Sequence, residues 1–156
     1  MFMDRIIFLD VDGVLNYTLW YFDDRNPGNL HGEEDVDPAC VERINFISDK
    51  MGAKVVVSSD WRIATNWQNR LERAGVKNII DKTPITLWGA YGKTYHFTRG
   101  EEIQMWLESH LAVKNYVIID DREDMMDDQM DHFVKVNPYR GFTDEDMEKA
   151  MIILNK

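Results

Sequence analysis

Cysteine is almost missing from this sequence: Cys40 stands alone, so no internal disulfide can brace the fold and a reducing, cytoplasmic setting is expected. Basic charge is also scarce. Eighteen Lys and Arg face twenty-eight Asp and Glu, a net charge of −10, and a nucleic-acid backbone would meet a repulsive average field. Broad nucleic-acid binding is therefore not expected, although a local basic spot at a nucleic-acid end stays compatible with that balance. Long apolar runs are missing too. The first, Ile6 to Leu9, is too short for a signal peptide or a membrane span, so no membrane partner is expected. Repeats and low-complexity tracts are absent, which sets aside solenoids and arrays.

What is present is an ordinary globular composition. Of 156 residues, 44% are apolar and 29% charged, enough for one domain over 1–156 that buries roughly 70% of its unfolded surface. Short apolar runs alternate with helical patterns, the mark of linked βαβ units and of a doubly wound, mainly parallel α/β sheet. Five strands are predicted: Ile6 to Asp10, Lys54 to Ser58, a weaker Asn78 to Asp81, Tyr116 to Asp120, and Phe133 to Val136. Between the first two, Asp37 can cap a helix with Pro38 at its first position, Val41, Ile44, Ile47 and Met51 on one face, and Gly52 beyond its end. Arg62 to Ala74 is predicted as a second helix, with Ile63, Trp67 and Leu71 inward and Gly75 as terminator. Glu101 to His110 is a third, and a last begins at Thr143 with Asp146 three residues on.

The chemistry gathers at the carboxyl ends of the strands, the edge where open α/β sheets bind ligands. The first strand runs Phe8-Leu9-Asp10-Val11-Asp12-Gly13-Val14-Leu15-Asn16, and the period of two puts Asp10 and Asp12 on one side. Carboxylates so close repel unless a cation lies between them or one keeps its proton. Gly13 lets the backbone approach a phosphate. The second strand ends Ser58-Ser59-Asp60-Trp61-Arg62, which sets hydroxyls and free N–H groups at the same edge as an anion seat. The fourth ends Asp120-Asp121-Arg122-Glu123-Asp124. His31, His96, His110 and His132 show no ligand spacing with Cys40, so zinc is not expected.

This ordered set resembles the haloacid dehalogenase-like (HAD) phosphohydrolase superfamily, and more closely its small HAD domains grouped with RNA-repair proteins. Five segments carry the likeness: Asp10 to Asn16, Ser58 to Arg62, Arg99 to Leu107, Val117 to Asp121, and Asn137 to Leu154. The resemblance implies a Rossmann-like sheet and a Mg²⁺-dependent phosphomonoester hydrolase, with Asp10 as nucleophile and Asp12 as general acid and base. It implies that Asp10, the Asp12 carbonyl, and Asp120 or Asp121 hold Mg²⁺, and that Ser58 binds phosphoryl oxygens. The basic phosphate clamp falls on Arg99, with Lys93 and Lys82 as competitors. Where the wider superfamily commonly has Thr after this motif, Val14 stands here.

No separate cap domain fits the short insertions, so residues 16–37 are expected to form only a small flap over an open mouth. HAD enzymes without caps tend to accept large substrates or borrow cover from a partner, so the resemblance implies a nucleic-acid end as one substrate class, with a phosphorylated small molecule such as a free nucleotide as the other. Gly13, Ser59, Arg62 and Trp20 are the expected substrate contacts, with Tyr17, Trp20, Tyr21 and Phe22 as aromatic faces for a base and Arg25 and His31 adding charge. The competing readings are a catalytically silent phosphate-binding module and a receiver-like regulatory domain. Receivers place their adjacent acids after the first strand; here Asp120-Asp121 come late.

Overall fold

In the computed structural model, residues 4–27, 35–90 and 93–156 are described, the segments 87–90 and 93–95 by their backbone alone. Five strands, β1 (Arg5–Leu9), β2 (Lys54–Val57), β3 (Ile79–Lys82), β6 (Asn115–Asp120) and β7 (Phe133–Lys135), form one sheet in the order β3-β2-β1-β6-β7. Every pairing in it is parallel. The predicted strands thus all form, within one or two residues of their expected ends. β1 and β6 lie at the centre and are buried on both faces, as continuous Ile, Val, Leu and Phe runs require. Alternation along β1 sends Ile7 and Leu9 into one core and Ile6 and Phe8 into the other.

Four of the helix boundaries follow the local chemistry. Helix α1 (Pro38–Met51) starts where the Asp37 carboxylate accepts from the Ala39 N–H and stops at Gly52, which takes a left-handed φ of 64°. Helix α4 (Asp144–Leu154) opens with a reciprocal cap between Thr143 and Asp146. Helix α3 (Arg99–Glu108) begins two residues before its predicted start, because the Thr98 side chain caps it by accepting from the Glu101 N–H.

The predicted helix from Arg62 to Ala74 is divided. Asp60–Ile63 forms a 3-10 turn capped by Ser59, and α2 (Trp67–Arg73) follows separately. Ile63, expected to face inward, lies 61% exposed. An antiparallel hairpin of β4 (Leu87–Ala90) and β5 (Lys93–His96), not foreseen in the sequence, fills the connection between β3 and α3. Within the expected flap, Thr18–Phe22 is a 3-10 turn whose Thr18 and Leu19 N–H groups donate to the carbonyls of Pro138 and Tyr139. Residues 28–34 of that segment, His31 among them, lie outside the described residues. Among the described residues no helix is long and apolar enough to cross a membrane.

Candidate active site

The strand ends deliver their acids to one place. Asp10 follows β1 directly and Asp120 closes β6, its neighbour, so the ladder itself sets them side by side. Oxygens of Asp10, Asp120 and Asp121 all lie within 4.8 Å of one another. Both Asp10 and Asp120 are buried. Burial first, and then the charge of Asp120, pushes the Asp10 carboxyl well above the ordinary carboxylate range, against the pull of Arg99. Asp121 is also raised, mainly by burial.

Gly13 makes this crowding possible. Its φ of 83° belongs to the left-handed region, and a Cβ there would stand 2.3 Å from Asp121 Oδ2. The glycine foreseen as a close approach for phosphate is thus needed first for a carboxylate.

Arg99, at the start of α3, is the counter-charge. Its Nη1 donates to Asp10 Oδ1 and to Asp120 Oδ2, each at 2.9 Å, and its Nη2 reaches Asp60 Oδ1 at 3.4 Å. Burial works against the guanidinium charge, but Asp120 and then Asp10 outweigh it and hold the group protonated above the usual arginine range. Asp124 fixes where Arg99 emerges, since its Oδ2 accepts the Arg99 backbone N–H. Of the rival clamps, Lys82 donates instead to the Arg62 carbonyl and lies over the Trp67 ring. The side chain of Lys93 lies outside the described residues.

Asp12 is exposed, apart from the three-carboxylate cluster. Its Oδ1 accepts from Asn16 Nδ2 at 2.9 Å and from Trp61 Nε1 at 3.1 Å. Neither partner was foreseen, although both stand inside segments already singled out for other reasons. Ser58, next along from β2, is fully buried, and its hydroxyl has no hydrogen-bond partner among the described residues. An unpartnered buried donor beside Asp10 is the feature a phosphoryl oxygen would satisfy. Ser59 Oγ is engaged in accepting the Trp61 N–H.

Two of the expected substrate contacts have their side chains engaged within the protein. Arg62 is buried and donates to the carbonyls of Ser58, Ser59, Thr83 and Pro84 and to Glu102. Those bonds use all five guanidinium N–H groups, so Arg62 shapes the Ser58-Ser59 loop and has no donor to offer a substrate. Trp20 is buried against Tyr17, with the Arg25 guanidinium over its ring, and presents no face to a base. The Tyr17 hydroxyl donates to Asp37, while Tyr21 and Phe22 remain exposed.

A strand-end aspartate cluster bridged by one arginine thus lies beside the Ser58 hydroxyl at the carboxyl edge of the β3-β2-β1-β6-β7 sheet. The family model for the HAD domain in Swiss Army Knife RNA repair proteins matches residues 6–147. The chain belongs to this family. No protein of curated function matches it. The matched span of the HAD domain runs from β1 into α4 and includes every residue of the cluster. HAD domains are generally phosphatase-type hydrolases, and membership suggests that class of activity. The donor set agrees with a hard divalent cation such as Mg²⁺: it is all carboxylate oxygen, and three acids against one arginine leave negative charge unbalanced.

Proposed function

We propose that this HAD domain is a Mg²⁺-dependent phosphomonoesterase that works through a phospho-aspartate on Asp10, with nucleotides or phosphorylated nucleic-acid ends as substrates. The observation that carries the reading is the convergence of Asp10, Asp120 and Asp121 within 4.8 Å with Arg99 bonded to the first two. Asp10, Asp120, Asp121 and the Asp12 backbone carbonyl would hold the cation. When bound, the cation supplies positive charge between these carboxylates and a phosphate dianion.

The side chains then divide the work. Arg99 orients the Asp10 carboxylate and meets the phosphoryl charge, and the Ser58 hydroxyl donates to a phosphoryl oxygen. An Asp10 oxygen attacks phosphorus, a P–O bond forms, and the ester P–O bond breaks. Asp12, held by Asn16 and Trp61, gives its proton to the leaving oxygen. It then takes a proton from water, which attacks the same phosphorus. The bond between phosphorus and Asp10 breaks, and phosphate leaves with Asp10 restored as carboxylate.

Phosphate release from p-nitrophenyl phosphate and from 5′- and 3′-nucleotides tests this directly. Turnover is expected with Mg²⁺, is expected to vanish with EDTA, and to fall at least about a thousandfold in Asp10→Asn with the circular dichroism unchanged. Full activity of chelated, metal-free protein, or of Asp10→Asn, would refute it.

A further inference from the structure

Beside the carboxylate cluster lies a cleft of about 270 Å³, lined by Asp60, Ile63, Ile85, His96, Phe97 and Arg122 with the Arg62, Thr86 and Glu102 network as its floor. Two of its residues tie it to the reacting centre. Asp60 contacts Arg99 Nη2, and the Arg122 backbone N–H donates to Asp120 Oδ1 at 3.0 Å. Its walls are apolar and open: Ile63, Ile85 and Phe97 are 61%, 44% and 42% exposed. A concave site lined by apolar side chains with a few charged groups around it has the composition of a ligand pocket.

The floor is fixed to the anion seat. Glu102 Oε2 accepts from Arg62 Nη2 at 2.9 Å and from both the N–H and the hydroxyl of Thr86 at 3.2 Å. The Thr86 hydroxyl in turn accepts the Phe97 N–H at 3.2 Å. Arg62 holds the Ser58 and Ser59 carbonyls at its other end. One continuous chain of hydrogen bonds therefore sets the separation between Phe97 and the loop that carries Ser58.

We propose that this cleft takes the nucleobase of the substrate, with Phe97 as the stacking face and Ile63 and Ile85 as its apolar walls. The assignment rests on the phosphatase reading above, and replaces the base site that burial denies to Trp20. A planar, uncharged ring suits a cleft lined by three apolar side chains, and stacking needs no basic surface, so a net charge of −10 does not oppose it. The volume, just under the roughly 300 Å³ at which ordinary ligand pockets begin, suits one nucleoside and not several. A free nucleotide and the terminal nucleotide of a strand present the same ring.

The test compares kcat/KM for adenosine and uridine monophosphates, a phosphorylated tetranucleotide and ribose 5-phosphate, in wild type, Phe97→Ala and Ile63→Ser. Wild type is expected to prefer the base-bearing substrates at least tenfold, and Phe97→Ala to lose about tenfold to hundredfold on those alone. Preference for the tetranucleotide over the monophosphates identifies the strand end as the source. Ribose 5-phosphate used as well as nucleotides, or an equal loss on both in Phe97→Ala, overturns the cleft assignment and leaves the phosphatase reading standing. If no phosphomonoester turns over, that reading fails, and binding of adenosine or uridine, followed by NMR shifts at Ile63, Ile85 and Phe97, decides the cleft separately. Shifts lost in both variants support it; no shifts in wild type overturn it.

Discussion

Arg99 brings one positive charge to two buried carboxylates, and that arrangement sets its energetic weight. Removing one partner of a buried ion pair leaves an uncompensated charge behind, which costs about 3–5 kcal/mol. Arg99→Ala is therefore expected to lower the unfolding free energy in urea by about that amount, as well as to raise KM and lower kcat. A loss below about 1 kcal/mol would mean that Asp10 takes up a proton in place of the lost cation. Cys40 makes a contrasting case. Burial, followed by the charge of Asp37, pushes its thiol up to about 11, and Sγ donates to the Phe142 carbonyl at 3.4 Å. Only about a thousandth of it is thiolate at pH 8, so iodoacetamide is expected to label the folded protein far more slowly than the urea-unfolded chain. Equal labelling rates at pH 8 would contradict both the burial and the shift.

At the scale of elements, the turn after β1 concentrates the demands of the site. Gly13→Ala places a methyl group 2.3 Å from Asp121 Oδ2 at a left-handed φ, a conformation that costs other residues roughly 1–2 kcal/mol. The variant is expected to keep its secondary structure while the Mg²⁺ concentration for half-maximal activity rises about tenfold or more; an unchanged Mg²⁺ response would remove Asp121 from the cation site. This turn was legible in the sequence because an Asp-Gly step after an apolar run has few structural readings. The same holds for Asp37-Pro38 before α1 and Thr143 with Asp146 before α4, whose caps are local chemistry. The hairpin was not legible: β4 and β5 are four residues each and carry no clear alternation. The engagement of Arg62 and Trp20 was not legible either. Arg62 bonds Pro84 and Glu102, 22 and 40 residues away in sequence, and the burial of Trp20 is a property of the folded molecule, so single-sequence reasoning sees a basic or aromatic residue near a motif without seeing what already holds it.

Taken as a whole molecule, the sheet is covered unequally. One face carries a large core shared with α1, α2 and α4, including Ile44, Ile47, Leu71, Ala150 and Leu154. On the other face the fully buried apolar set is Ile6, Phe8, Val56, Ile103, Trp106 and Ile118, and α3 supplies only Ile103 and Trp106 of these. The helix that brings Arg99 and Glu102 to the site is thus seated on the thinner side. Regions with fewer buried apolar neighbours open at lower free energy than the global unfolding. In native-state hydrogen exchange the amides of α3 are accordingly expected to exchange ahead of those of β1, β2 and β6, as a cooperative unit; exchange of α3 only together with the central strands would contradict this. Each such opening detaches Arg99 from Asp10 and Glu102 from Arg62 at once, so the charge balance of the reacting centre and the floor of the neighbouring cleft are lost and regained together, at a frequency that the packing of one short helix determines.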